Sequence, residues 1–362
     1  MKIALHGSYH GHNFGDVLLM MIFRNWIKEA HGNIEVSVPF ASDRTSKYIQ
    51  ADSNNGFSDI AKSAGVIYGG GGYFGEPPSQ QIKWGFRNLI RHYPAGAFSQ
   101  LLSKPYAIIG IGAGPITNRL TRAAMVQLCN RAKILAVRDE ESKAYLTEYG
   151  VDQEQITVTA DCVIQLTKEQ LPRFAVEEGA KLLDRAKYEK IIGVHIQNFN
   201  YPDSVEHLKK EIVQFANAHR QIGIALLSDG FKTPDAAEEL KQAIPNSFMV
   251  PYTNPWVFSA LLSELDLVVT TKLHVGITAT SLNTTTLAFP VHGKTERYYK
   301  QIGASDRCIP LKQLKKGDTM SQLQTYIDRS ETPFEIPGDI IRASLENKRL
   351  VHHFIEKYAR YH

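Results

Sequence analysis

Lys2-Ile3-Ala4-Leu5-His6-Gly7-Ser8-Tyr9-His10-Gly11-His12-Asn13-Phe14-Gly15-Asp16 begins with an apolar run fit for a strand and ends where a helical pattern starts that continues to Ala30. The three glycines between them let the backbone pass close to a ligand, and the open N–H groups of a helix start attract anions. Asp16 is favoured in a first helical turn whatever else it does. Taken alone, the loop also reads as a merely tight strand-to-helix turn.

Working outward, the same alternation of short apolar runs and longer helical patterns repeats. Strands are expected at 34–38, 65–68, 106–109, 134–137 and 156–159, with helices at 119–130 and 140–149, the latter closed by Gly150. A second cycle starts at Lys190, with strands at 191–196, 222–227, 248–250, 267–270 and 284–289. Helical patterns at 204–219, 234–244, 255–264 and 275–281 separate them. Such alternation implies parallel sheets covered by helices. The expected fold is α/β, with two Rossmann-like doubly wound domains facing across a cleft. Residues 1–168 form the first domain, 169–189 a helical connector and 190–315 the second domain. A helical tail, 316–362, packs back on the first domain through Ile340, Ile341, Leu345, Leu350 and Ile355. Ligands of open parallel sheets bind outside the carboxyl ends of the strands, which makes the cleft the expected site.

Composition excludes several classes. The chain has 362 residues, 43% hydrophobic and 22% charged, the balance of a soluble globular protein. Its 41 basic and 37 acidic residues are too even for a nucleic-acid binder that works by neutralising phosphates. Cys129, Cys162 and Cys308 are odd in number and lack metal-ligand spacing, which suits a reducing compartment. No signal-peptide pattern opens the sequence. The apolar run 17–23 falls far short of the roughly 18 to 20 residues a membrane span needs. A cytoplasmic protein without a bound metal is expected.

Four further segments carry chemistry. Gly69-Gly70-Gly71-Gly72-Tyr73-Phe74-Gly75-Glu76 formally contains G-x-G-x-x-G, but Pro77 and Pro78 follow where a dinucleotide fold needs a helix. No carboxylate stands about 20 residues on, so the NAD reading fails on context. Gly110-Ile111-Gly112-Ala113-Gly114-Pro115 again follows a strand, and close strand-to-helix packing explains it as well as ligand binding does. In Val137-Arg138-Asp139-Glu140-Glu141-Ser142, Arg138 closes a strand where it can meet a carboxylate or phosphate, while Asp139 to Ser142 look like a cap. A surface ion pair is the plainer account of Arg138 alone. Finally, Lys272 and His274 follow one strand, and His292 and Lys294 follow the next. Single histidines are usually structural, but four such groups at neighbouring strand ends are unfavourable without an anion.

In this order, these segments resemble the polysaccharide pyruvyl transferase family. Its N-x-G-D, GGG, G-x-G-x-GP, V-R-D/E-x-x-S, alanine-aspartate, S-R-x-H and lysine features appear as Asn13 to Asp16, Gly70 to Gly72, Gly110 to Pro115, Val137 to Ser142, Ala160-Asp161, Thr271 to His274 and Lys294. The resemblance covers roughly residues 3 to 304. It implies a glycosyltransferase-B-like pair of domains, phosphoenolpyruvate as co-substrate with no further cofactor, and a glycan or lipid-linked sugar as acceptor. Only that acceptor would bring the protein to a membrane surface. His274 and Asp16 match catalytic positions, and Arg138, Lys294 and Lys272 match substrate-binding ones. Asn13, Gly15, Gly71, Gly72, Gly112 and Gly114 line the same expected site. Lys272 stands where the family usually has arginine, which keeps the charge and loses the bidentate fork. Two other readings stay open: a glycosyltransferase using a nucleotide sugar, with Glu296 as its ribose carboxylate, and a non-catalytic sugar-binding homologue. Acceptor choice is expected in the segments 42–59 and 76–103.

Overall fold

The computed structural model describes residues 1–11, 13–76, 81–197, 201–332 and 334–359. His12 and the Pro77-Pro78 pair lie outside them. The chain divides into two compact units, Met1–Cys162 with Asp339–His362, and Val163–Gly338. The segment 163–189, read as the end of one domain and a connector, thus belongs to the second unit. The expected tail is divided between the two.

The first unit is built on β1 (Lys2–His6), β2 (Glu35–Ser37), β3 (Gly65–Tyr68), β4 (Gly71–Phe74), β5 (Tyr106–Ala113), β6 (Ile134–Val137) and β7 (Ile156–Val158). All pairings are parallel, in the order β2-β1-β3-β5-β6-β7, with β4 beside β5. Six helices join the strands: α1 (Phe14–Ala30), α2 (Asp43–Ile49), α3 (Phe57–Lys62), α4 (Gln81–Leu101), α5 (Arg119–Arg131) and α6 (Glu140–Glu148). The apolar run that follows Asp16 is a buried helix rather than a surface one, since every residue from Val17 to Phe23 is buried. Asn13 caps it by accepting from the Gly15 N–H at 3.1 Å.

Two glycine segments read as loops are largely strand. β5 continues past Ile109 to Ala113, with a shift of register between Ile108 and Ile111 where Gly110 has φ +69°. That extension pairs with β4, Gly71 opposite Ile111 and Phe74 opposite Ala113. Backbones so close exclude side chains: a Cβ on Gly75 would lie 2.9 Å from the Gly114 nitrogen. The segments read as variable loops also contain structure, since 42–59 holds α2 and the start of α3, and 76–103 holds α4. Gly85, Pro94 and Gly96 hid the periodicity of α4, yet Gly96 lets the helix lie directly on Leu128 and on the Tyr68 hydroxyl.

The second unit repeats the plan with β8 (Lys190–His195), β9 (Ile222–Leu227), β10 (Ser247–Val250), β11 (Leu267–Thr270) and β12 (Thr285–Ala288), parallel in the order β10-β9-β8-β11-β12. Around them run α7 (Arg173–Lys181), α8 (Pro202–Ala218), α9 (Asp235–Ala243), α10 (Pro255–Ser263), α11 (Leu273–Ser281), α12 (Gly293–Gln301) and α13 (Asp318–Asp328). Ile192, Val194, Leu226, Val269 and Phe289 pack with Leu208, Phe215 and Tyr326 into its core.

The last helix, α14 (Gly338–Phe354), buries Leu350 as its sequence suggests, and Ile355 just beyond it is buried too, but Leu345 faces outward. Leu345 is 43% exposed, whereas Ser344, Asn347, Leu350, Val351 and Phe354 are buried. Two of these are polar because they hold backbone. Asn347 donates to the Ala160 carbonyl at 2.8 Å and accepts from the Thr159 hydroxyl at 2.9 Å. Ser344 donates to the Asp161 carbonyl at 2.7 Å. Among the described residues no helix is long and apolar enough to cross a membrane.

Candidate functional site

In the first unit the motif residues gather at the carboxyl ends of the strands. Asp16, third residue of α1, places its Oδ1 3.8 Å from where a Cβ on Gly71 would stand. Gly71 has φ +131°, open to glycine and strained for other residues, and the Tyr73 ring closes its other side. Gly72, by contrast, is exposed.

Arg138, at the end of β6, is only 4% exposed. Its Nη1 donates to Asp161 Oδ2 at 2.9 Å, with Asp139 Oδ2 3.9 Å from Nε. Gly112 lies directly against the guanidinium, for a Cβ there would be 2.7–2.8 Å from Nε, Cζ and Nη2. The next residues lock this arrangement. Asp139 caps α6 by accepting from the Ser142 N–H at 2.7 Å, and Ser142 Oγ accepts from the Ala113 N–H at 2.9 Å. The V-R-D-x-x-S segment therefore clamps the glycine segment beside it, and Arg138 is an interior cation rather than a surface one. Gly114 donates to the Phe74 carbonyl at 2.9 Å and ties in the GGG segment.

The opening segment also joins a histidine cluster, completed by His92 of α4. His6 Nε2 is 3.0 Å from His92 Nδ1, His6 Nδ1 is 3.3 Å from the Tyr9 hydroxyl, and His92 stacks on Tyr73 with centroids 4.4 Å apart. Burial pushes His6 down to about 3 and, with Arg91 adding to the effect, His10 to about 4. Both rings are neutral at pH 7. Among the described residues no group of three or more His, Cys, Asp or Glu is arranged to hold a metal ion.

In the second unit the four expected groups stand at the carboxyl ends of β11 and β12. Lys272 precedes α11 and His274 is in its first turn; His292 precedes α12 and Lys294 is in its first turn. Burial first, then the charges of Lys294 and Lys272, push His292 down to about 4, which puts both ammonium groups within electrostatic reach of one imidazole. Lys272 Nζ also donates to Asp229 Oδ2 at 2.7 Å. Asp229, just beyond β9, meets Gln197 Nε2 at 2.9 Å and His195 Nε2 at 3.2 Å through its other oxygen. Burial acts to raise the Asp229 pKa, but His195 and then Lys272 outweigh it and hold the carboxyl well below its usual range. His195, Gln197 and Asp229 were missed in the sequence. One signal was present: His195 is a titratable side chain that closes the apolar run Ile191 to Val194. A cavity of about 420 Å³ lined by Lys104, Arg131, Lys133 and Lys357 lies at the amino ends of β5 and β6, the other edge of the first sheet, and holds no motif residue.

Two parallel sheets with alternating helices, and this arrangement of strand-end residues, define a two-domain α/β protein of glycosyltransferase-B-like fold. The chain is similar over 99% of its length to all of the UDP-GlcNAc 2-epimerase from Neisseria meningitidis bound to UDP-GlcNAc, at 13% identity and a TM-score of 0.62. A putative UDP-N-acetylglucosamine 2-epimerase from Listeria monocytogenes gives 12% identity and 0.64, over 98% of this chain and 97% of that one. An Anabaena protein in complex with UDP and glucose gives 14% identity and 0.59, over 99% and 98%. At such identities the likeness is one of fold. No curated protein matches the chain. The model of the polysaccharide pyruvyl transferase family matches residues 13–293, and the chain belongs to that family.

Proposed function

We propose that this protein transfers the pyruvyl group of phosphoenolpyruvate to two hydroxyls of one sugar in a cell-surface polysaccharide or its precursor. The enol methylene takes a proton and becomes a methyl group. One sugar hydroxyl adds to the resulting cationic carbon and loses its proton. The second hydroxyl then displaces phosphate and closes the ketal.

Family membership supports this reading, and one feature of the second unit supports it most. Lys272 and Lys294 share a neighbourhood with His292, whose lowered pKa keeps a third positive charge away at neutral pH. Two ammonium groups beside a neutral imidazole and a helix start suit a phosphate that arrives with its own negative charge. Lys294 and Lys272 take the phosphate. Asp16 orients the donor or accepts a hydroxyl proton. His274, in the first turn of α11, delivers the proton to the methylene. No cofactor beyond the co-substrate is invoked. The reaction belongs in the cytoplasm, in keeping with three cysteines that form no disulfide. The nucleotide-sugar alternative rests on fold likeness alone.

Phosphate release from phosphoenolpyruvate in the presence of a glycan panel tests the proposal. His274→Ala is expected to keep donor affinity and to lose roughly 100-fold or more in turnover. A loss confined to donor affinity would make His274 a phosphate ligand, and wild-type behaviour would remove it from the site. Phosphate release with no glycan in the panel consuming the donor would count against pyruvyl transfer itself.

A further inference from the structure

We propose that α4 is a membrane-docking helix whose exposed face lies on an anionic lipid surface. Phe86, Ile90 and Leu101 are 54%, 66% and 77% exposed, although each is a residue that folding normally covers. Lys83, Arg87 and Arg91 are exposed beside them. These six positions recur at helical spacing along one face, a stripe about 27 Å long.

The charge on the stripe decides the occupant. The 21 residues of α4 contain no Asp or Glu. A second copy of the chain docking through this face would set three cations against three, which Coulomb repulsion disfavours. An anionic bilayer surface satisfies both halves of the face. Its headgroups attract the cations, each contributing about fivefold to partitioning, and its acyl boundary takes the apolar side chains. Arg87 and Arg91 stand one turn apart on this face, so their charges add at the lipid surface. The inference rests on the exposed face alone and stands or falls independently of the donor chemistry.

The test is co-sedimentation of the full chain with vesicles of phosphatidylcholine alone or mixed with phosphatidylglycerol. Binding to the mixed vesicles only, weakened by salt, is expected. Phe86→Ser with Ile90→Ser should lower partitioning at least about tenfold. Lys83→Glu with Arg87→Glu should abolish it. All four side chains are exposed, so both variants should unfold at the wild-type temperature. Trp84 gives a second readout, being the half-buried tryptophan on this helix while Trp26 and Trp256 are buried. Its emission should shift when mixed vesicles are added to the wild type. Equal binding to neutral vesicles, no binding to mixed ones, variants that bind like the wild type, or a dimer that dissolves on Phe86 and Ile90 substitution would each overturn the inference.

Discussion

A buried arginine needs a counter-charge and room, and here single residues supply both. Asp161 gives Arg138 its charge partner, and the missing side chain of Gly112 gives the guanidinium its space. Gly112→Ala forces the guanidinium off its seat and should cost about 1–3 kcal/mol in urea unfolding, as overpacking does. Unchanged stability would mean that Arg138 relocates freely. Asp161→Asn removes the closer of the two carboxylates around the buried arginine, leaving Asp139 at 3.9 Å, and should cost about 3 kcal/mol. Arg138, Lys272 and Lys294 stood out in the sequence because each follows a strand, whereas Asp161 appeared only within a family feature and not as the partner of a buried Arg138. Asp229 was not legible as a partner of Lys272, because the two are 43 residues apart and meet only when β8, β9 and β11 line up.

At the scale of elements, the strand and helix alternation around buried sheets was readable from apolar periodicity. The ladder between β4 and the end of β5 was not, because glycine runs carry no periodicity and look like loops. Nor was the inner face of α14, where Ser344 and Asn347 replace apolar residues in order to hold the backbone at 159–161. That backbone carries Asp161, so the last helix steadies the counter-charge of Arg138 from about 190 residues away. Asn347→Leu removes bonds to the Ala160 and Ser344 carbonyls and the Thr159 hydroxyl and should destabilise the protein by about 2–3 kcal/mol. If the stability is unchanged, α14 does not position this segment.

For the molecule as a whole, buried neutral histidines set an acid limit. His6, His10 and His292 titrate at about 3, 4 and 4 when folded, below the ordinary 6.5, and His92 is lowered as well. The unfolded chain therefore binds more protons from about pH 6.5 down to about 3. Stability should be full above that window and fall through it as pH drops, read as a lower urea midpoint with an unchanged slope. A flat profile would mean that these rings are hydrated in solution. An anion held by Lys272 and Lys294 would raise His292, so donor binding near pH 5 should take up protons. A donor that binds only the folded state raises the unfolding temperature. Thermal unfolding should therefore be compared with phosphoenolpyruvate and with UDP-N-acetylglucosamine, for the wild type and for Lys294→Ala. A rise is expected with phosphoenolpyruvate alone, lost in the variant. A rise with UDP-N-acetylglucosamine and none with phosphoenolpyruvate would contradict phosphoenolpyruvate as the donor.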